Sequence, residues 1–331
     1  MVLLIQELDL NKGGKEMAEV KSEPIGELEL TQDMFKKVKK DEKAYDKIVR
    51  PSLTYWADAW RRLKENKLAI ISLIILIIVV AMAFIGPLMR PWSYDDQDFS
   101  VINKAPDSKH WFGTDDLGRD LFVRAWDGAR ISLFVALVST VINVTIGIIY
   151  GGISGFVGGK TDMIMMRIIE IIYSIPTLLW VILLMVVLGQ GLGTIIIAIS
   201  ITGWGGMARL VRGQVLQLKQ MEFVLAAQTL GADTSRIIWK HLIPNTMGPI
   251  IINLTFQVPG AIFTEAMLSY IGLGIPEPTA SWGTLAQKGT KMLLIHPYQL
   301  FYPALLISIT MLAFNILGDG LRDSLDPRLR Q

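Results

Sequence analysis

The chain has 331 residues, no cysteine, three histidines, 51% hydrophobic and only 19% charged residues, and a mean hydropathy of +0.43. Globular chains carry roughly a quarter charged residues, so the composition leans toward a membrane protein. Five stretches free of charge (68–89, 131–159, 171–208, 241–264 and 292–318) run for 22, 29, 38, 24 and 27 residues, and a span needs about 20. A soluble enzyme is close to excluded, and so are disulfide frameworks, thiolate catalysis and cysteine-ligated metals.

In chain order, residues 1–35 hold three Lys and eight Asp or Glu and read as a solvated, disordered leader, with Met17 an alternative start to Met1. Residues 36–67 invert the balance, with eleven Lys or Arg against five acids. Trp56, Trp60 and Leu63 recur at near-helical spacing beside Arg61, Arg62 and Lys64, which predicts an interfacial amphipathic helix near 53–66. The tail 1–67 therefore lies in the cytoplasm by the positive-inside rule. The first span is 68–89, with Pro87 near its end. The loop 90–130, six basic to eight acidic residues, follows outside. Its Asp115, Asp116 and Asp120, with His110 nearby, could suggest a cation site. Their spacing is not that of a calcium loop, and pairing with Arg119 is the plainer account, so no metal site is expected.

The core 131–318 should hold five further spans, six in all. The second, about 131–152, ends at Gly158-Gly159-Lys160. The run SGFVGGKT at 154–161 has Ser where a phosphate-binding loop needs Gly, and a membrane helix where it needs a strand; it reads as a flexible turn. The third span starts near Asp162 or Met163, carries Arg167 and Glu170 in a position to pair, and ends at the glycines of 189–193, a tight external turn. The fourth runs from about Thr194 past Arg209. A cytoplasmic loop, 216–247, joins it to the fifth span, 250–271. The sixth occupies 301–317, and 319–331 form a cytoplasmic tail. Glu265, inside the fifth span, is a functional candidate by default. It can line a path and meet a peptide's amino group, or hold a helix–helix hydrogen bond or a pair with a partner subunit.

The loop is the informative segment. An Ala-rich helix runs through Ala226 and Ala227 to Gly231. Asp233, Thr234 or Ser235 caps a second helix, which Pro244 is expected to stop. Small side chains let a partner approach closely, with Arg236 and Lys240 supplying charge, so the elbow reads as a docking surface.

These residues resemble the signature loop of ABC importer permeases: Glu-Ala-Ala, three residues, Gly, nine residues, then Ile-x-Leu-Pro. Here Ala226-Ala227, Gly231 and His241-Leu242-Ile243-Pro244 hold the spacing. Leu225, His241 and Ile243 stand where the pattern has Glu, Ile and Leu; the first removes a charge and leaves the elbow intact. Three more runs are similar to the second permease subunit of oligopeptide and dipeptide importers: HWFGTDDLGRDLFVRAWDGARISL at 110–133, TEAMLSYIGLGIPEPTASWG at 264–283 and LGDGLRDSLDPRLR at 317–330. The resemblance covers about 53–330. It implies an all-α, six-span type I ABC importer permease with no catalytic residue of its own. Its implied partners are a homologous second permease, two ATPase subunits that hold the ATP and magnesium, an extracytoplasmic binding protein and the bilayer, with no nucleic acid. The implied coupling residues are Ala226, Ala227, Gly231, Ala232, Asp233, Arg236 and Pro244. Nickel or a short saccharide on the same frame, and a secondary transporter or stand-alone receptor, are the alternatives to peptide import.

Overall fold

A computed structural model describes residues 54–326; the leader 1–35, the basic run 36–53 and the last five residues lie outside them. Helix α1 (Tyr55–Glu65) starts at Thr54, whose side chain accepts from the Ala57 amide. It buries Ala59 and Leu63 and leaves Trp56 and Trp60 half exposed. Asn66 closes it and caps α2 (Lys67–Ile85). In α2 the buried residues are Ala69, Ser72, Leu76, Val79 and Ala83. That three-four spacing is one helix face, and the exposed Ile71, Ile74, Ile77 and Ile78 form the opposite, lipid-type face.

Helix α3 (Leu121–Val157) is 37 residues long and begins ten residues before the charge-free run that predicted it. The charges that seemed to end the span are each provided for. Arg124 donates to the Tyr94 carbonyl at 2.7 Å, and Arg130 donates to the carbonyls of Ala83 and Phe84 at the end of α2. After Gly158 the chain forms α4 (Gly159–Ser174) and α5 (Thr177–Leu188), bent from one another by 80°. The third span, expected as one continuous helix, is therefore two helices with a sharp bend between them. Pro176 is the cause, since a proline disfavours helical backbone at the residue before it, and Ile175 is extended. The glycine turn at 189–193 stands as expected, with Gly189 ending α5 and α6 (Leu192–Leu218) beginning after Gly191.

Helices α7 (Glu222–Thr229) and α8 (Thr234–Arg236) form the elbow. A π-helical turn, Ile237–Leu242, leads on into α9 (Ile243–Leu268), and another, Ser269–Leu273, ends it. Pro244 does not stop the helix. Residues Thr234–Leu273 run on for 40 residues: the π-helical turn widens the ladder just before the proline, and the side-chain Nδ2 of Asn245 donates to the His241 carbonyl at 2.6 Å. Helices α10 (Trp282–Lys291) and α11 (Tyr298–Leu325) complete the fold. The predicted tail from 319 is helical as far as Leu325. Among the described residues, five helices are long and apolar enough to span a bilayer, six if the bent pair counts as one span.

The seam between α3 and α6 organises the bundle. Gly147, Gly151 and Gly155 fall four apart on one face of α3. A Cβ on Gly151 would lie 2.3 Å from the Ala208 carbonyl oxygen, and one on Gly155 would lie 2.9 Å from that of Arg212. Small residues at this spacing let membrane helices pack backbone to backbone. One apolar cluster fills the end of the bundle around Trp126, Ile195, Ile262 and Trp282. A second fills the elbow end around Met207, Val211, Val215, Ile238 and Leu242.

Candidate functional site

The elbow is built by a helix stop that only a few residues can make. The Gly231 amide donates to the Gln228 carbonyl and the Ala232 amide to the Ala227 carbonyl, at 2.9 and 3.0 Å. This pair of bonds is the Schellman closure, which places its turn residue in the left-handed region; Gly231 has φ +81°. Val224 and Ala227, three apart, anchor α7 in the second apolar cluster, and Ala232 packs against it. Ala226 is exposed, as are Leu225 and Leu230, the latter 87% exposed. Asp233 occupies the cap position of α8, yet its carboxylate makes no cap bond; its backbone carbonyl takes the Ile237 amide at 3.0 Å. Arg236 and Lys240 are exposed, and Ile237, Ile238 and Leu242 face inward. The sequence-predicted residues thus divide into anchors, a turn and an outward apolar and basic face.

The elbow is tied to the spans beside it. Arg212 on α6 holds Asp162 on α4 through two bonds of 2.5 and 2.6 Å, and Ser154 on α3 donates to the same carboxylate. Lys219 reaches the Gly155 carbonyl at 2.9 Å. The lookalike phosphate loop is therefore the α3–α4 junction. Arg167 and Glu170 pair at 2.6 Å on the exposed side of α4.

Midway along the bundle lies a cavity of about 270 Å³ bordered by Asn143 of α3, Thr177 of α5, Thr202 of α6, and Gln257, Gly260 and Thr264 of α9. Nothing ionisable borders it. The neighbouring Glu265 is fully buried and lies outside this lining. It accepts from Ser132 of α3 at 2.9 Å and from Ser269 at 2.8 Å, and Ser132 also accepts from the Trp282 amide. Its geometry is that of a clasp between α3, α9 and the start of α10. Glu265→Gln should cost about 1 kcal/mol of stability, the scale of one altered buried hydrogen bond. The thermal unfolding midpoint of the extracted protein should fall accordingly; an unchanged midpoint would contradict the clasp.

At the far end from the elbow, the loop 90–120 forms a cap. Asp120 caps α3 through the Val123 amide and binds His110 Nδ1 at 2.8 Å. Asp115 takes Arg119 Nε at 2.7 Å, and Arg119 also reaches Glu277 at 3.3 Å. The acidic cluster that could suggest a cation site is thus engaged by arginine, by histidine and by a helix terminus. Lys288 pairs with Glu277 too, and that hydrogen bond, aided by Arg119 and opposed by partial burial, holds the Glu277 carboxyl below its ordinary value of 4.5. A lowered carboxylate pKa gives stability that is full above the ordinary value and lost as pH falls through the folded-state value. The unfolding midpoint should therefore drop on acidification below about pH 4.5, and less so in Lys288→Met; an identical drop in both proteins would contradict this. The cap was not legible as a site in the sequence, because Arg119 and Glu277 are far apart in the chain.

The spans, the elbow and the uncharged cavity define an all-α polytopic membrane permease. The chain belongs to the binding-protein-dependent transport system inner membrane component family, whose model matches residues 143–331. Its architecture is that of a type I ABC importer permease. Residues 54–106 match the N-terminal TM domain of oligopeptide transport permease C. The chain is 56% identical over 286 residues to the oligopeptide transport system permease protein OppC of Bacillus subtilis, covering 86% of this chain and 94% of that one. It is 58% identical over 287 residues to the dipeptide transport system permease protein DppC of the same organism, covering 86% and 90%. The OppC protein of Haemophilus influenzae is 47% identical over 277 residues, covering 83% and 89%.

Proposed function

We propose that this chain is a membrane-spanning subunit of an ATP-driven importer of di- or oligopeptides. The observation that carries the reading is identity of 56–58% over most of the chain to permease subunits named for those substrates. The elbow supports it physically. Leu225 and Leu230 are apolar side chains left exposed beside Arg236 and Lys240, a face suited to a groove on another protein. A lever of this kind needs a rigid element with discrete positions, and the closed α7 turn joined to a 40-residue helix provides one.

In this reading two ATPase subunits, with their ATP and magnesium, dock under the elbow and under its counterpart on a homologous second permease. An extracytoplasmic binding protein delivers peptide to the cap end. Both termini and the elbow lie in the cytoplasm, the helix α1 along the inner membrane surface and the loop 90–130 outside. Ala226, Ala227, Gly231, Ala232, Asp233, Arg236 and Pro244 are the coupling residues, and this chain performs no chemistry. Purification from native membranes tests the assembly: a second permease and two ATPases should accompany the chain. Labelled-peptide uptake by the reconstituted complex tests the substrate. A chain that transports alone, or a complex that takes up nickel or a saccharide but no peptide, would overturn the corresponding part.

A further inference from the structure

We propose that the cavity between α3, α6 and α9 is a subsite for the peptide main chain, in which the side-chain carbonyls of Asn143 and Gln257 accept from backbone N–H groups in transit. The inference rests on the peptide-import reading and adds to it a place and a chemistry. Asn143 is only 4% exposed, borders the cavity, and its Oδ1 accepts no hydrogen bond among the described residues. Gln257 Oε1 is likewise without a donor, because its amide nitrogen is committed to Asn253 Oδ1 at 2.8 Å. A buried acceptor left unmet is unfavourable, and both residues border this cavity, one from α3 and one from α9.

The packing fixes how the Asn143 amide lies. A Cβ on Gly203 would lie 2.1 Å from Asn143 Nδ2, so the glycine lets the amide lie flat against α6. On α9, Asn245, Pro249, Asn253, Gln257 and Thr264 share one face, four or seven residues from one to the next. The near end of that face, Asn245 and Pro249, borders a larger cavity of about 730 Å³ together with Gln214, Gln217, Arg322 and Asp326. The absence of charge from the middle cavity's border decides the ligand class. A carboxylate would retain cationic peptides and a lysine anionic ones, whereas a neutral acceptor meets the N–H that peptides of any sequence carry.

The test uses the complete importer in proteoliposomes, with a tripeptide and its backbone N-methylated analogue each saturating the binding protein. Asn143→Ala and Gln257→Met are measured separately; Met keeps the length of Gln257, and Ala empties the space that the Asn143 amide fills against Gly203. Each variant should slow uptake of the plain tripeptide about tenfold, the equivalent of a lost hydrogen bond of 1.4 kcal/mol, and change uptake of the N-methylated analogue by much less. Equal losses for both peptides would assign these residues a structural role and overturn the subsite. Unchanged uptake of both would overturn it as well. Wild-type complex that takes up neither peptide would overturn the peptide-import reading, and the subsite with it.

Discussion

Gly231→Asp should leave the protein in the membrane and reduce peptide uptake to near background, with substrate-stimulated ATP hydrolysis no longer matched to transport. The size of the effect comes from position more than from crowding. Nothing lies within 4 Å of a Cβ at Gly231, so the aspartate does not clash within this chain. It must adopt φ +81°, which costs a non-glycine residue about 1–2 kcal/mol, and it adds a negative charge beside the exposed Leu230 on the face proposed for docking. Gly231→Asn separates the contributions, because asparagine tolerates the left-handed region and carries no charge. Asparagine should retain most uptake, and valine, β-branched in a left-handed turn, should lose it. Wild-type uptake and ATPase stimulation in the aspartate variant would remove the elbow from the coupling route.

Gly151→Leu should be severely damaging to the packing of α3 on α6. The first side-chain carbon would already stand 2.3 Å from the Ala208 carbonyl oxygen and 2.9 Å from Val211 Cβ, and the remaining carbons have backbone in front of them. Overpacking a core commonly costs about 1–3 kcal/mol and sometimes more; here two spans must separate along their length, which places the loss at or beyond the upper figure. The protein should fail to accumulate in membranes, or lose its thermal transition after extraction. Gly193→Leu, in the first turn of α6 with nothing within 4 Å of its Cβ, is the matched control and should accumulate normally. Normal accumulation of Gly151→Leu would mean that the α3–α6 seam is looser than its geometry.

How far the molecule was legible in its sequence depended on whether a feature was local. The helix that carries Trp56 and Trp60, the turn at Gly189 and the elbow stop at Gly231 depend on nearby residues, and each forms in the structure where the sequence placed it. Counting charges misjudged α3, because Arg124 and Arg130 are satisfied by carbonyls of Tyr94, Ala83 and Phe84 that lie elsewhere in the chain. Pro176 was visible yet hidden inside a run read for its hydropathy, so the 80° break went unpredicted. The four-residue spacing of Gly147, Gly151 and Gly155 was also visible, and it is the signal that would have located the central seam. Asn143 and Gln257 carried no such signal: a polar residue in an apolar helix becomes informative only once its neighbours are known.

The π-helical turn at Ile237–Leu242 sits between the elbow and a helix that carries Glu265 and the cavity residues. An α-helix advances about 100° per residue, so the length of that turn sets the azimuth of everything beyond it. Removing one residue there would rotate α9 by more than a quarter turn relative to the elbow, carrying Glu265 away from Ser132 and Gln257 away from Asn143 at one stroke. The extra residue works as a phase setting: it puts the docking face and the membrane face of one rod into the same register.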